Sequence, residues 1–331
     1  MRSFEINEND ADQRLDKFVA KATRGLPPPL LYKFIRKKRI KVNGRRCEAS
    51  DRLSRGDVVE MYIPDEFFGT ESSSREYSRS SVPLDVVWED ENLLLVNKRP
   101  GVLSHTGDER GAAKSGEAER STLVFADKSY LYEKGEYDPD RENSFAPALC
   151  NRIDRNTGGI VIAAKNAATL RAVNAAIKHR EIKKLYLCAV HGIPEKREAT
   201  ETAYLIKDEK TNKVAVFDAP RKGAKKIVTT YRVLKTDERE NLSLLEVELG
   251  TGRTHQIRAH LDHLGYPLVG EGKYGVNKED RKAGFRHQAL CSYMTVFESK
   301  SEELSYLYGR SFGIPADPEH IPFLSLFEKG K

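Results

Sequence analysis

The chain has 331 residues, 39% of them hydrophobic, with 56 Lys/Arg against 50 Asp/Glu and a formal charge of +6. This length suits two domains with real cores, and no apolar run approaches the roughly 20 residues that a membrane helix needs. The four cysteines (Cys47, Cys150, Cys188, Cys291) are scattered singly, which argues against both a zinc ribbon and a disulfide framework.

Met1 to Asp16 is polar and carries five acidic residues, unlike a signal or transit peptide, and a cytoplasmic protein with reduced thiols is expected. Leu15, Phe18, Val19 and Ala22 have helical spacing, and Pro27-Pro28-Pro29 ends that segment. Leu30, Leu31, Phe34 and Ile35 mark a second helix with Lys33, Arg36 and Lys37 on its other side. Ile40 and Val42 alternate with lysine, Asn43-Gly44 is a strong hairpin turn, and Arg55-Gly56-Asp57 leads into a strand from Val58 to Ile63.

The positive charge is concentrated in this small unit. Residues 1–64 hold fifteen of the basic residues and nine of the acidic ones, so the remainder of the chain is balanced. Leu30 to Arg46 alone has eight basic residues, including Lys33, Arg36, Lys37, Lys38 and Arg45, and no acid. Such a cluster attracts polyanions by counterion release, although a charge run can also be a merely solvated face. The second helix followed by VNGRRCEASDRLSRGDVVEMYIP, with RLDKF at Arg14 to Phe18, resembles the αL-type RNA-binding domain first known from a small-subunit ribosomal protein. That resemblance covers about sixty residues and implies RNA contact by the second helix and the adjoining turn.

Residues 65–83, rich in Ser, Glu and Arg, read as a flexible linker, and a second domain is expected over 84–331. There Leu93 to Val96 forms a strand ended by Lys98-Arg99-Pro100-Gly101. Residues 106–147 read as an irregular insertion with weak helical patterning from Leu123 to Tyr132. Ile160 to Ala164 is an apolar strand, and Asn166 caps a helix with Leu170, Val173 and Ile177 inside. Further strands are expected at Leu185–Val190, Ile227–Leu234 and Leu244–Leu249. In the last, Leu245, Val247 and Leu249 alternate with Glu246 and Glu248, suggesting one buried and one wet face. Thr254 caps a helix that stops before Gly265. Strands with interspersed helices and no βαβ rhythm predict an α+β fold on a mostly antiparallel or mixed sheet with flanking helices, beside a small basic α/β unit.

The familiar cofactor motifs are missing. Gly250-Thr251-Gly252 begins a dinucleotide pattern, but His255 stands where the next glycine is needed. Neither a phosphate-binding G-x-x-x-x-G-K-[ST] loop nor a G-x-S-x-G elbow occurs. His255, His260 and His263 lack the spacing of a metal set. What remains is polar chemistry in two segments. In CNRIDRNTGGIVIAAKN, Asp154 sits between Arg152 and Arg155 just before a buried strand, with Thr157 close by. Gly158-Gly159 there lets a ligand or another backbone come close, while an aspartate at that place can also simply cap a turn. In TGRTHQIRAHL, Arg253, His255 and Arg258 crowd a helix start, which favours anions. Arg258 and Asp262 also have the spacing of a helical ion pair.

Together these segments resemble the RluA-type pseudouridine synthase family. Its catalytic motif H-R-L-D-x-x-T-S-G appears as N-R-I-D-R-N-T-G-G, its later motif R-T-H-Q-I-R-x-H is intact from Arg253 to His260, and K-x-Y-x-A-x-V matches Lys184, Tyr186, Cys188 and Val190. LLLVNKRPGVLSH, from Leu93 to His105, matches V-N-K-P-x-G-x-x-x-H with Arg99 inserted. The resemblance implies the pseudouridine synthase fold, with Asp154 as nucleophile or acid–base carboxylate, Tyr186 against the target base and Arg258 paired with Asp154. Arg152 would enter the RNA stack where the uridine leaves it. Asn151, Thr157, Lys98, Arg253, His255 and Gln256 fall in the same motifs and are assigned to substrate or RNA binding. Asn151 and Gly158 depart from the pattern at positions that do not carry the reaction in the family, and the 106–147 segment is a second departure and a place for RNA specificity.

The implied reaction rearranges one nucleoside, needs no redox step or group donor, and so no cofactor or metal is expected. One ionised carboxylate must attack the ribose anomeric carbon or the base, or remove a sugar proton; a nearby arginine favours an ionised carboxylate in general. The partner is structured RNA, with large-subunit rRNA as first choice and tRNA as second, and the protein is expected to be a monomer away from membranes. Two rival readings are an RNA-binding assembly factor, which leaves the Asp154 and Arg253–His260 segments idle, and a glycoside or nucleoside hydrolase, which ordinarily needs two carboxylates.

Overall fold

The computed structural model describes residues 1–23, 25–68, 80–106, 116–208, 210–275 and 278–328. The N-terminal unit runs β1 (Arg2–Glu5), α1 (Leu15–Ala22), α2 (Pro28–Arg36), β2 (Ile40–Val42), β3 (Arg45–Arg46) and β4 (Val58–Met61), with the sheet in the order β1-β4-β2-β3. The proline run begins α2 rather than only ending α1: Pro27 is the N-cap and Pro28 opens the helix, where a missing N–H and a fixed φ do no harm. Asn43 and Gly44 both have positive φ, as the tight turn between β2 and β3 requires. Leu15, Phe18, Val19, Leu31, Ile35, Ile40, Val59 and Met61 form the core, so the remaining faces of α2 and the turn are left to the basic residues. Most of the expected linker, residues 69–79, lies outside the described residues.

The second unit is built on one large sheet. Its elements are β5 (Val86–Glu89), β6 (Leu93–Lys98), α3 (Gly116–Arg120), α4 (Leu123–Glu133), β7 (Ala148–Leu149), β8 (Gly158–Ala164), α5 (Ala167–His179), β9 (Ile182–His191), β10 (Glu198–Asp208), β11 (Lys213–Phe217), β12 (Lys225–Asp237), β13 (Leu242–Leu249), α6 (Gln256–His263), α7 (Lys278–Lys282), β14 (Leu290–Phe297) and β15 (Ser311–Gly313). The strand order is β11-β10-β12-β13-β9-β14-β8-β6-β5, with β15 on β14 and β7 on β8; β14 and β8 are parallel and the other pairs antiparallel. The architecture is therefore a mixed, mostly antiparallel sheet with flanking helices, as the sequence pattern suggests. Both faces are covered. Leu242 and Leu244 belong to the core that also holds Val173 and Ala176 of α5, while Leu245 and Val247 pack with Leu123 of α4 and Ile257 and Leu261 of α6. Leu242 to Leu244 are thus buried on both faces, whereas from Leu245 onward Leu245 and Val247 are buried and Glu246 and Glu248 are partly exposed. Among the described residues no helix is long and apolar enough to cross a membrane.

The 106–147 segment is more ordered than an irregular insertion. Thr122 caps α4, and Leu123, Phe125, Ala126 and Leu131 are buried; residues 107–115 lie outside the described residues. Its end bridges the two units. Asn143 Nδ2 and Ser144 Oγ donate to the Asp10 carboxylate at 2.7 and 2.6 Å, and Asn9 Nδ2 donates to Glu142 at 2.8 Å. Asn166 caps α5 by accepting from the Thr169 N–H at 2.9 Å.

The glycine pair that opens β8 has a definite role. Gly159 has φ +116, and a Cβ there would lie 2.3 Å from the Ser292 carbonyl oxygen. It is the β14 backbone, not a ligand, that comes close, and the resulting parallel contact fixes the start of β8, just after the loop that carries Asp154.

Candidate active site

Three elements converge on Asp154, which lies in the loop between β7 and β8. Its backbone carbonyl accepts from the Thr157 N–H at 3.0 Å, a tight turn that fixes where the side chain projects. The loop is pinned from below by Lys98 at the end of β6. That lysine is buried, and its ammonium donates to the carbonyls of Arg155 and Val102, each at 2.8 Å, and of Arg99 at 3.1 Å. Arg155 Nε in turn donates to the Gly101 carbonyl at 3.0 Å. Lys98 thus fastens two loops to each other.

Arg258 reaches Asp154 from α6. Its Nη1 donates to Asp154 Oδ2 at 2.9 Å, within the range of a charge-assisted bond. Its Nε and Nη2 donate to the two oxygens of Glu271 at 2.8 and 2.6 Å. The alternative pair with Asp262 is not formed. Burial disfavours the Arg258 charge, but the hydrogen bonds and negative charges of Glu271 and then Asp154 outweigh it and raise its pKa. Glu271 is buried too; its pKa is nevertheless lowered, because Arg258 and the N–H groups of Lys273 and Gly272 stabilise the anion.

His255 forms the second flank. It is the N-cap of α6 with φ +53, a left-handed conformation that few non-glycine residues adopt, and it makes no side-chain cap bond; nor does Thr254 cap the helix. The twist turns the imidazole inward. Its Nε2 lies 3.9 Å from Asp154 Oδ2, and its Nδ1 is 2.8 Å from the Tyr274 hydroxyl, which also accepts from the Val214 N–H at 3.0 Å. Burial, opposed by Asp154 and helped by Arg258, holds His255 down to about 4. The neutral imidazole carries one N–H, and its two ring nitrogens face the Tyr274 hydroxyl and Asp154, so it links the two groups.

Tyr186 stands on β9, buried in the core cluster shared with Ile153 and Ile257. Burial pushes its hydroxyl up to about 12, with the charge of Asp154 adding to the shift. Arg152 is exposed beside Asp154, and Arg253 is exposed at the entrance to α6. The three basic groups expected to crowd one helix start are therefore divided: Arg253 faces solvent, while His255 and Arg258 face inward.

The other assigned residues are framework. Gln256 is buried, donates to the Val228 carbonyl and Thr229 Oγ1, and accepts from Thr251 Oγ1 and the Arg253 N–H, closing the start of α6 onto β12. Thr157 accepts from Gln288 Nε2 at 3.1 Å, and Asn151 Oδ1 accepts from the Ile162 N–H at 2.8 Å. The structure places Gln256, Thr157 and Asn151 in buried internal contacts behind the Asp154 loop and the start of α6. Lys33, Arg36, Lys37, Lys38 and Arg45 are all exposed on the N-terminal unit. Glu271 and Tyr274 were not singled out from the sequence; the signal for both is GEGKYG, in which Glu271 is the only acid of a glycine-rich loop shortly after α6. The three clustered histidines go to different partners, His255 to Tyr274, His260 to Thr229 and His263 to Asp218.

The arrangement offers one carboxylate gripped at a single oxygen, a neutral imidazole and a protonated phenol beside it, and basic groups at the rim. Among known proteins, residues 92–263 match the RNA pseudouridylate synthase family and residues 13–59 match the S4 domain. The chain is 31% identical over 280 residues to the ribosomal large subunit pseudouridine synthase C of Buchnera aphidicola subsp. Baizongia pistaciae, which covers 83% of this chain and 81% of that protein. It is also 31% identical over 319 residues to an RNA pseudouridine synthase of Mycoplasma capricolum subsp. capricolum, covering 93% and 95%. The solved structure of Human RNA Pseudouridylate Synthase Domain Containing 1 is similar in fold, with a TM-score of 0.53 at 20% identity over 76% of this chain and 87% of that one.

Proposed function

Because the chain belongs to the RNA pseudouridylate synthase family, whose members are isomerases acting on RNA, we propose that it converts a uridine of structured large-subunit ribosomal RNA into pseudouridine, with Asp154 as the catalytic carboxylate. The observation that carries this reading is the ion pair of Arg258 with Asp154 Oδ2, formed between two segments far apart in sequence. The names of relatives such as the Buchnera protein support rRNA as the substrate class.

The reaction breaks the bond between ribose C1′ and uracil N1, turns the uracil and joins C1′ to C5, whose proton leaves and is replaced at N1. Nothing is gained or lost overall, so a carboxylate and a shaped pocket supply what is needed. Arg258 and His255 both address Oδ2 of Asp154, which leaves Oδ1 to face the nucleotide. Tyr186 keeps its proton at neutral pH and offers a ring and a hydroxyl to the base. The target must leave its stack, at a cost of a few kcal/mol. Arg152, exposed beside Asp154, fills the space it vacates, and Arg253 holds a neighbouring phosphate.

Residues 1–64 anchor the substrate in this reading. Lys33, Arg36, Lys37, Lys38 and Arg45 neutralise phosphates and give affinity without reading base sequence. Residues 65–83 connect this unit to the catalytic unit at 84–331.

The test is to map pseudouridines in total RNA from cells with and without the gene. Loss of pseudouridine at a defined large-subunit rRNA position is the expected result. Loss confined to tRNA would overturn the substrate class, and an unchanged map would overturn the reading as a whole.

A further inference from the structure

Glu271 is the most deeply buried acid near Asp154, with a side chain of 0% exposure. Its two oxygens take four donors: Nε and Nη2 of Arg258, and the N–H groups of Gly272 and Lys273. This is a fork-to-fork grip on one edge of the guanidinium, which fixes both its plane and its rotation. Nη1 and the second N–H of Nη2 remain on the side away from Glu271, and it is Nη1 that meets Asp154, at Oδ2 and 2.9 Å.

The alternative geometry explains why this matters. An arginine facing a single carboxylate prefers to hold both of its oxygens. With its Nε–Nη2 edge free, Arg258 could turn and occupy Oδ1 as well as Oδ2, closing the oxygen that must face the uridine. We propose that Glu271 is a positioning residue of the isomerisation. It holds Arg258 edge-on, so that the arginine grips Asp154 by one oxygen and leaves the other for the substrate. The proposal rests on the reading of Asp154 as the catalytic carboxylate.

The loop that carries Glu271 is held as firmly as the acid itself. The Gly270 N–H donates to Asp280 Oδ2 at 2.7 Å, and the same carboxylate lies 3.0 Å from His191 Nε2. Gly270 has φ +72, and a Cβ there would meet the His287 carbonyl oxygen at 2.3 Å. The Tyr274 ring, three residues after Glu271, lies 5.5 Å from the Arg258 guanidinium carbon and borders it on a further side.

The experiment uses the full-length chain with a saturating rRNA fragment and measures single-turnover isomerisation, RNA dissociation constant and melting temperature for three changes. Glu271→Gln keeps the shape and loses the charge and one acceptor; its rate is expected to fall about 100-fold while RNA affinity stays within about twofold. Glu271→Asp keeps the charge and is expected to recover at least about tenfold of that loss. In an Arg258→Met background, adding Glu271→Gln is expected to cost no further rate, because a residue acting through Arg258 has nothing left to act on. This last pair also serves if Glu271→Gln alone, which leaves a buried arginine short of a counter-charge, does not fold. A wild-type rate in Glu271→Gln, or a further loss of about tenfold or more in the Arg258→Met background, overturns the proposal. Asp154→Asn run alongside separates the two levels: an active Asp154→Asn sinks the reading of Asp154, whereas an inactive one beside an unimpaired Glu271→Gln sinks only the role of Glu271.

Discussion

Arg258 Nη1 and Asp154 Oδ2 are 2.9 Å apart although 104 residues separate them in the chain. The contact joins α6 to the loop before β8, and Arg258 is too deeply buried to be held by solvent. Removing one partner of a buried pair leaves the other charge uncompensated, which commonly costs about 3–5 kcal/mol.

Arg258→Lys is therefore expected to be folded but impaired. Lysine offers a point charge and cannot serve Glu271 and Asp154 with one rigid plane. The single-turnover rate should fall by about 100-fold or more, with RNA affinity little changed, since Arg258 is not at the surface. A rate equal to that of the unsubstituted protein would show that the plane of the guanidinium is immaterial.

Stability should depend on pH through two buried histidines. Burial holds both His255 and His260 down to about 4, against an ordinary 6.5. The unfolded chain takes up protons at these groups between pH 6.5 and 4 that the folded protein refuses, so their stabilising contribution is complete above about pH 6.5 and is lost as pH falls through that window. Each is worth at most about 3 kcal/mol by this route. The melting temperature of His260→Gln should fall less steeply from pH 6.5 to 4 than that of the parent; parallel curves would show that His260 does not contribute to the acid sensitivity.

Gly159→Ala should fail for a steric reason. The added Cβ would sit 2.3 Å from the Ser292 carbonyl oxygen at a φ of +116, so backbone must move. A loss of about 3 kcal/mol or more is expected in chemical denaturation, with separation of β8 from β14 and a displaced Asp154 loop. Gly223→Ala, where no atom lies within 4 Å of the added carbon but φ is +82, is the control and should cost only about 1 kcal/mol. Equal losses in the two variants would remove the close approach as the cause.

Replacing Lys33, Arg36, Lys37, Lys38 and Arg45 together by alanine should weaken RNA binding and flatten its salt dependence, by about 0.7–0.9 in slope for each phosphate that is no longer neutralised. The rate at saturating RNA should hold. An unchanged slope would place the anchoring charge elsewhere.

Much of this was legible in the sequence, and the failures have physical causes. α5 was readable because an Asn cap and three spaced apolar residues agree. α4 gave only a weak pattern because Leu123, Phe125, Ala126, Asp127, Ser129 and Leu131 are buried around most of its circumference, which erases the periodicity. β14 lies at the sheet centre with Leu290 to Tyr293 all buried, so no alternation marks it. Asp154 and Arg258 were legible as a pair, whereas the burial of Lys98 against three carbonyls was not, because a lysine closing a strand reads as surface. Thr254 was misread as a cap because the left-handed turn at His255 is invisible in residue types. Glu271 escaped because a lone acid among glycines reads as a turn; only the fold brings it to Arg258.

The catalytic role proposed for Asp154 is tested most directly by Asp154→Asn, assayed by tritium release from C5 of labelled uridine in a saturating rRNA fragment, with the dissociation constant for the same RNA measured in parallel. The exchange preserves shape and removes the charge that Arg258 holds in place. Release at background level is expected, with a dissociation constant within about threefold of the unsubstituted protein. Release at more than about one-tenth of the original rate would contradict the central role of Asp154.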